Sequence, residues 1–408
     1  MATAIPNIVR DPLVEPVPAG LTRAGAARLD AIDMLRGLVI VVMVLDHVRD
    51  FFHVAANSFD PTDPLRTTPI LFATRWVTHL CAPTFVFLAG VSIFFQKANG
   101  KSPAALTRFL LTRGAWLVLL ECTVISFGFN LGPPFLFLQV MWAIGMSMIC
   151  MGLIARAPAP AVLAIGIAIL LLYSFMVPLT AGVSGALGLV RMATIAPGKV
   201  PGAPILIFYA FVPWLAVMCI GFGLGPIYRL APAVRRQRLL PIALGLLVAF
   251  ALLRLLDGYG DPAPWVHLAT PVQTGMSFMN VSKYPPSPDY VCATLGISIL
   301  LFLALERLRG PAARILLDFG RTPLFTYICH IYIAHGIMLV VAAAMGMPRV
   351  AFDVVAAGFS GMPPPAGWGF SLGIVYLVWL AVVVALIPLA RWFAGVKRRR
   401  RDWWLGYL

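Results

Sequence analysis

The fold class predicted by the sequence is an all-α, polytopic integral membrane bundle of about ten transmembrane helices with both termini cytoplasmic. Three observations predict it. Of the 408 residues, 60% are hydrophobic and only 12% charged, whereas a soluble globular domain carries ~25% charged residues. The mean hydropathy is +0.90. Apolar runs close to the ~20 residues that cross a ~30 Å hydrocarbon core recur along nearly the whole chain. Secreted disulfide scaffolds, disordered chains and cytosolic nucleic-acid binders are excluded. The six cysteines stand singly in or beside apolar segments, without CxxC or zinc-type spacing, and read as small core residues.

The spans fall at about 31–52, 70–96, 107–128, 134–154, 159–180, 205–227, 239–256, 291–307, 321–345 and 370–392. They make one transmembrane domain over 29–395, between a flexible tail at 1–28 and a basic, aromatic tail at 396–408. Residues 1–28 lack the apolar core and cleavage pattern of a signal peptide. Cytoplasmic loops collect Lys and Arg. With the N-terminus inside, most of the 31 basic residues fall on the cytoplasmic side, leaving Arg49, Arg66, Arg75, Arg191, Lys199, Arg254, Lys283 and Arg349 outside. Because this rule accounts for the basic loops and the Lys397 to Arg401 run, no nucleic-acid partner is expected; the lipid bilayer is. The glycines at 221, 223 and 225 suit close helix contact better than phosphate binding.

Charges at helix centres are costly and therefore mark functional candidates. At 100° per residue, Asp33, Arg36, Ile40, Met43, His47 and Asp50 fall on one stripe of the first span, which must face the protein interior. Asp33 with Arg36 forms an i,i+3 pair at the cytoplasmic end, and His47 with Asp50 another at the outer end, roughly 24 Å along the helix. A carboxylate, from Asp50 or Asp46, can orient an imidazole and raise its basicity, as a general base requires. A purely structural ion-pair network is the alternative. His79, Glu121, Arg254, Asp257 and His335 place further ionisable groups at a similar depth, which fits a reaction chamber or an ion pathway. No GxSxG elbow, phosphate loop, HExxH helix or EF-hand loop is present, and no metal is expected.

Several motifs are familiar as a set. Arg28-Leu-Asp-Ala-Ile-Asp33-Met-Leu-Arg36-Gly37 with Met43-Val-Leu-Asp46-His47, followed by Ala82-Pro83-Thr-Phe-Val-Phe-Leu-Ala-Gly90-Val-Ser92, resembles the heparan-alpha-glucosaminide N-acetyltransferase-like family of transmembrane acyltransferases. The segment from Asn280 through Lys283 and Tyr284 to Ser287 resembles its later motif, Gly320 to His330 resembles a helix start of related membrane acyltransferases, and Arg399 to Leu405 is similar to bacterial tails. The likeness implies a bacterial inner-membrane enzyme that passes an acyl group, usually acetyl from cytoplasmic acetyl-CoA as co-substrate, to a hydroxyl or amine of a carbohydrate or glycolipid acceptor at the outer face. A homodimer is a further possibility. The lysosomal enzyme's catalytic histidine is matched most nearly by His53, whereas related bacterial O-acyltransferases place theirs at His47; His79 is a third candidate. Arg36, Arg108, Arg113 and Arg321 are the expected phosphate ligands of the donor, His330 lines the expected channel, Asn280, Lys283 and Tyr284 are the expected acceptor or oxyanion contacts, and Glu121 is a further expected acceptor contact. A pantetheine arm of ~15–20 Å would bring the thioester to His47. The competing reading is a proton-coupled secondary transporter of a sugar or lipid-linked intermediate, relaying protons through Asp46, His47, Asp50 and Glu121; a non-catalytic envelope scaffold is a third.

Overall fold

The computed structural model describes residues 29–56, 58–132, 135–359, 365–400 and 402–407; the tail read at 1–28 lies outside them. Each expected span corresponds to a helix. Among the described residues, eight segments are long and apolar enough to cross a membrane. The two others are α1 (Asp30–Phe52), 23 residues long but rich in charge, and the 15-residue α6 (Val140–Ile154).

Proline sets many of the helix starts. Its missing N–H costs nothing in the first turn and its fixed φ suits the helix. Thus α2 (Pro69–Thr78), α4 (Pro103–Leu120), α10 (Pro232–Leu256), α12 (Pro288–Leu305) and α14 (Pro323–Ala344) all begin on proline, with Thr68, Ser102 and Ser287 capping α2, α4 and α12 through their side chains. This moves the start of the seventh span back from 239 to Pro232, since apolar counting misses a polar first turn. The second span is interrupted: α2 ends at Thr78 and α3 (Cys81–Ala98) begins after the two residues His79 and Leu80, so His79 caps α2 at a break instead of lying within a continuous helix. The third span carries a π-helical turn, Glu121–Ile125, between α4 and α5 (Ser126–Asn130).

The fourth and sixth spans also start later than apolarity suggests, because their first residues are strands. β1 (Leu136–Leu138) pairs in parallel with β3 (Ile205–Ile207), which pairs antiparallel with β2 (Gly198–Lys199). Then come α7 (Ala159–Leu179) and α8 (Gly185–Thr194) before β2, and α9 (Phe211–Tyr228) after β3. The remaining helices are α11 (Pro271–Met279), α13 (Pro311–Arg321), α15 (Val350–Phe359) and α16 (Leu372–Arg399), with a 3₁₀ turn at Trp403–Tyr407.

Helix α1 is the hub, packing on α2, α3, α12, α13, α14 and α16. Its crossing with α13 is a backbone contact. A Cβ on Gly320 would sit 1.7 Å from the Asp33 carbonyl oxygen, and one on Gly37 would sit 2.0 Å from that of Leu316. Gly90 and Gly221 allow the same approach between α3 and α9, the small-residue packing by which helices associate where lipid removes the hydrophobic drive.

The basic loops read as lying on one side do meet at one end of the bundle. Arg321 pairs with Asp30 at 3.1 Å, Arg391 with Asp318 at 3.3 Å, and Arg235 with Glu306. Lys97 donates to the carbonyls of Ala155 and Ala157, Arg229 to that of Ala98, and Arg113 to that of Gly406. At the opposite end, residues 368–370 clamp the last turn of α1: Phe370 N–H donates to Phe52, Val54 N–H to Phe370, and the Trp368 indole to Phe51.

Candidate active site

A cavity of about 520 Å³ opens beside the last turns of α1, within the 300–1,000 Å³ range of small-molecule sites. It is walled by α1 residues Asp46, His47, Arg49 and Asp50, by His53 beyond the helix end, by Arg75 and Thr78 of α2, and by Lys283 and Tyr284. The small sheet supplies the opposite side. Pairing of β1 with β3, continued by Phe208 and Tyr209 N–H groups donating to Leu138, brings Phe137, Gln139, Phe208 and Tyr209 to the same chamber. Its wall is therefore aromatic with a charged strip.

His47 Nδ1 stands 2.6 Å from His330 Nε2, and the two rings stack with centroids 4.9 Å apart. His330 is fully buried on α14, and its Nδ1 lies 3.3 Å from the Thr326 carbonyl. A carbonyl can only accept. In the neutral pair His330 therefore carries its proton on Nδ1, its Nε2 accepts from His47 Nδ1–H, and the lone pair of His47 is left on Nε2. Phe129 meets His47 edge-on at 5.0 Å.

Asp46, next to His47, is the centre of the charged strip. Arg49 lies 3.0 Å from its Oδ1 and Arg75 3.1 Å from its Oδ2, while the Thr78 hydroxyl donates to Oδ1 at 2.9 Å. The carboxylate expected to pair with His47, that of Asp50, is instead held by Arg49 at 2.5 Å. One carboxylate shared between two guanidiniums gives each of these desolvated cations a counter-charge. His53 is buried just beyond α1 and accepts from Ala55 N–H at 3.2 Å; burial first, then Arg49, hold its imidazole below the ordinary range.

Six of the fourteen expected site residues thus line one cavity: Asp46, His47, Asp50, His53, Lys283 and Tyr284. His330 supports His47 from behind. The other seven lie outside the lining. His79 is buried at the α2–α3 break against Tyr290, whose hydroxyl donates to its carbonyl at 2.8 Å. Glu121 opens the π turn, and its Oε2 accepts from Trp142 N–H at 2.9 Å, so the carboxylate serves the N-terminus of α6. Asn280 ends α11, where its carbonyl and those of Phe278, Ser277 and Ala263 accept from the buried Arg254. Arg36 bonds Asp33 at 3.0 Å and Ser92 at the other end of α1, where Arg321 also approaches Asp33. Arg108 is exposed on α4 near Arg113. Arg75, Thr78 and Gln139 went unrecognised as site residues; only their contacts across the fold reveal them.

Fold and cavity together define a multi-pass membrane protein with a histidine-lined cavity. Residues 28–254 match the family described as heparan-alpha-glucosaminide N-acetyltransferase, catalytic, and the chain belongs to that family. Membership implies a membrane acyltransferase of N-acetyltransferase type. No curated protein gives a significant match.

Proposed function

We propose that the protein transfers an acetyl group from cytoplasmic acetyl-CoA to a hydroxyl or amine of a carbohydrate-type acceptor at the extracytoplasmic face of a bacterial inner membrane, with His47 as general base or acyl carrier. The observation that carries this reading is the His47–His330 contact at the cavity wall, which leaves the His47 Nε2 lone pair uncommitted in the neutral pair. The acceptor O–H or N–H attacks the thioester carbon, its proton passes to His47 Nε2, and collapse breaks the C–S bond and returns the proton to the CoA thiolate. In the two-step variant His47 itself takes the acetyl group first. The aromatic wall of Phe137, Phe208, Tyr209 and Tyr284 supports a sugar ring as acceptor, and the clustered cations at the other end of α1 support a polyphosphate donor.

Equilibrium binding of acetyl-CoA to the detergent-purified protein, with CoA-thiol release using glucosamine as surrogate acceptor, tests the proposal. Saturable binding that survives His47→Ala, with turnover that does not, is expected. If neither acetyl-CoA nor longer acyl-CoAs bind, proton-coupled transport through the same ionisable groups takes its place.

A further inference from the structure

Arg75 lines the cavity that holds His47, and its side chain is only 10% exposed. Every hydrogen bond it donates runs through one nitrogen: Nη1 reaches both oxygens of Asp46, at 3.2 and 3.1 Å, and Thr78 Oγ1 at 3.0 Å. Asp46 and Thr78 therefore fix the guanidinium plane from one edge. The opposite edge, Nε and Nη2, has no hydrogen-bond partner among the described residues, and neither nitrogen is among the sealed, unsatisfied buried atoms of the chain, so both reach accessible space. A positive group held rigid, largely desolvated, with a planar donor fork left open in the wall of the cavity that His47 also lines, is the arrangement that stabilises an oxygen acquiring negative charge.

We infer that Arg75 is a catalytic residue of the acyl transfer, its Nε and Nη2 donating to the thioester oxygen as that oxygen becomes anionic. The inference rests on the acyltransferase reading above. When the acceptor attacks, its lone pair forms the new C–O or C–N bond and the C=O π pair moves onto oxygen. The acceptor proton goes to His47. Arg75 then faces a full negative charge where it faced a carbonyl dipole, so its interaction strengthens in the tetrahedral intermediate and weakens as the carbonyl re-forms and the C–S bond breaks. Asp46 and Thr78 are positioning residues for that guanidinium.

Arg75→Lys separates this role from a structural one, because an ammonium preserves the charge pair with Asp46 but cannot present the planar fork. The experiment measures CoA-thiol release from acetyl-CoA with glucosamine, and acetyl-CoA binding, for the wild type, Arg75→Lys, Arg75→Gln and His47→Ala in detergent. Expected are a kcat at least tenfold lower for Arg75→Lys and on the order of a hundredfold lower for Arg75→Gln, as for loss of an oxyanion donor, with donor binding and melting temperature of Arg75→Lys near wild type. A wild-type rate in Arg75→Lys, or a loss matched by weakened acetyl-CoA binding or by unfolding of that variant, overturns the assignment and leaves the acyltransferase reading intact. A wild type that binds no acetyl-CoA or releases no thiol overturns both.

Discussion

His47 and His330 lie 283 positions apart in the chain and share a 2.6 Å contact between Nδ1 and Nε2. The contact selects the tautomer of His47, so the reactivity of a residue on α1 is governed by one on α14. Replacing His330 with Phe removes the acceptor while keeping the volume. The expected outcome is a kcat lower by on the order of a hundredfold, the scale of a misdirected general base, with acetyl-CoA affinity unchanged. His330→Gln, whose amide oxygen can accept from His47, should retain more activity than His330→Phe. Steady-state thiol release with parallel binding measurements checks the ordering.

Asp46 pairs with Arg49 and Arg75 and accepts from Thr78 at once. Asp46→Ala leaves two buried guanidiniums without their shared counter-charge. A loss of about 3–5 kcal/mol follows from breaking such a buried arrangement, measurable as a large drop in melting temperature in detergent. Asp46→Asn, which keeps an oxygen acceptor, should lose less.

The Gly320 site tolerates no side chain, because a Cβ there falls 1.7 Å from the Asp33 carbonyl oxygen. Gly320→Ala should cost at least ~3 kcal/mol, at the upper end of overpacking because the obstacle is backbone. Size-exclusion profiles and melting curves should show poor recovery of folded protein. Gly245→Ala, on α10 with open space around the same atom, is the matched control and should behave as wild type.

Acid should weaken the C-terminal end of α1 through His53. Its folded imidazole titrates below the ordinary value, chiefly through burial and also through Arg49. The unfolded chain therefore binds the proton first as pH falls. The stabilisation is fully present above about 6.5 and is lost as the pH drops through the lower folded value. Melting temperatures between pH 8 and pH 4.5 should fall more steeply for the wild type than for His53→Gln, which has no imidazole to protonate.

The bundle was legible in the sequence because bilayer thickness and hydropathy leave little freedom, and the stripe on α1 was legible because buried charges in a span have one direction to face. Asp33 and Arg36 pair as their spacing predicts. His47 and Asp50 share that spacing and do not pair by hydrogen bond or salt bridge, because Arg49 takes the carboxylate and His330 takes the imidazole. Periodicity reports which face a residue occupies, not which of several partners on other helices reaches it first. Arg75 shows the same limit: in the sequence it is one basic residue near the outer start of the expected second span, and only the packing of α2 against α1 sets it beside Asp46. Gln139 and Tyr209 come to the cavity through strands of three residues inside stretches that read as helix, a register that no local pattern announces.

Because α1 and α13 touch through their main chains at Gly37 and Gly320, α1 cannot slide or rotate against its neighbour without driving carbonyl oxygens into carbon. Helix α1, which carries His47, is therefore locked against α13 at that crossing. Helix α2 is joined to α1 here through side chains, Arg75 and Thr78 to Asp46, so the spacing of these two helices is set by side-chain reach and not by main-chain contact. The cavity is thus held by two kinds of joint, a main-chain crossing behind the helix that bears His47 and a side-chain latch that keeps Arg75 against Asp46.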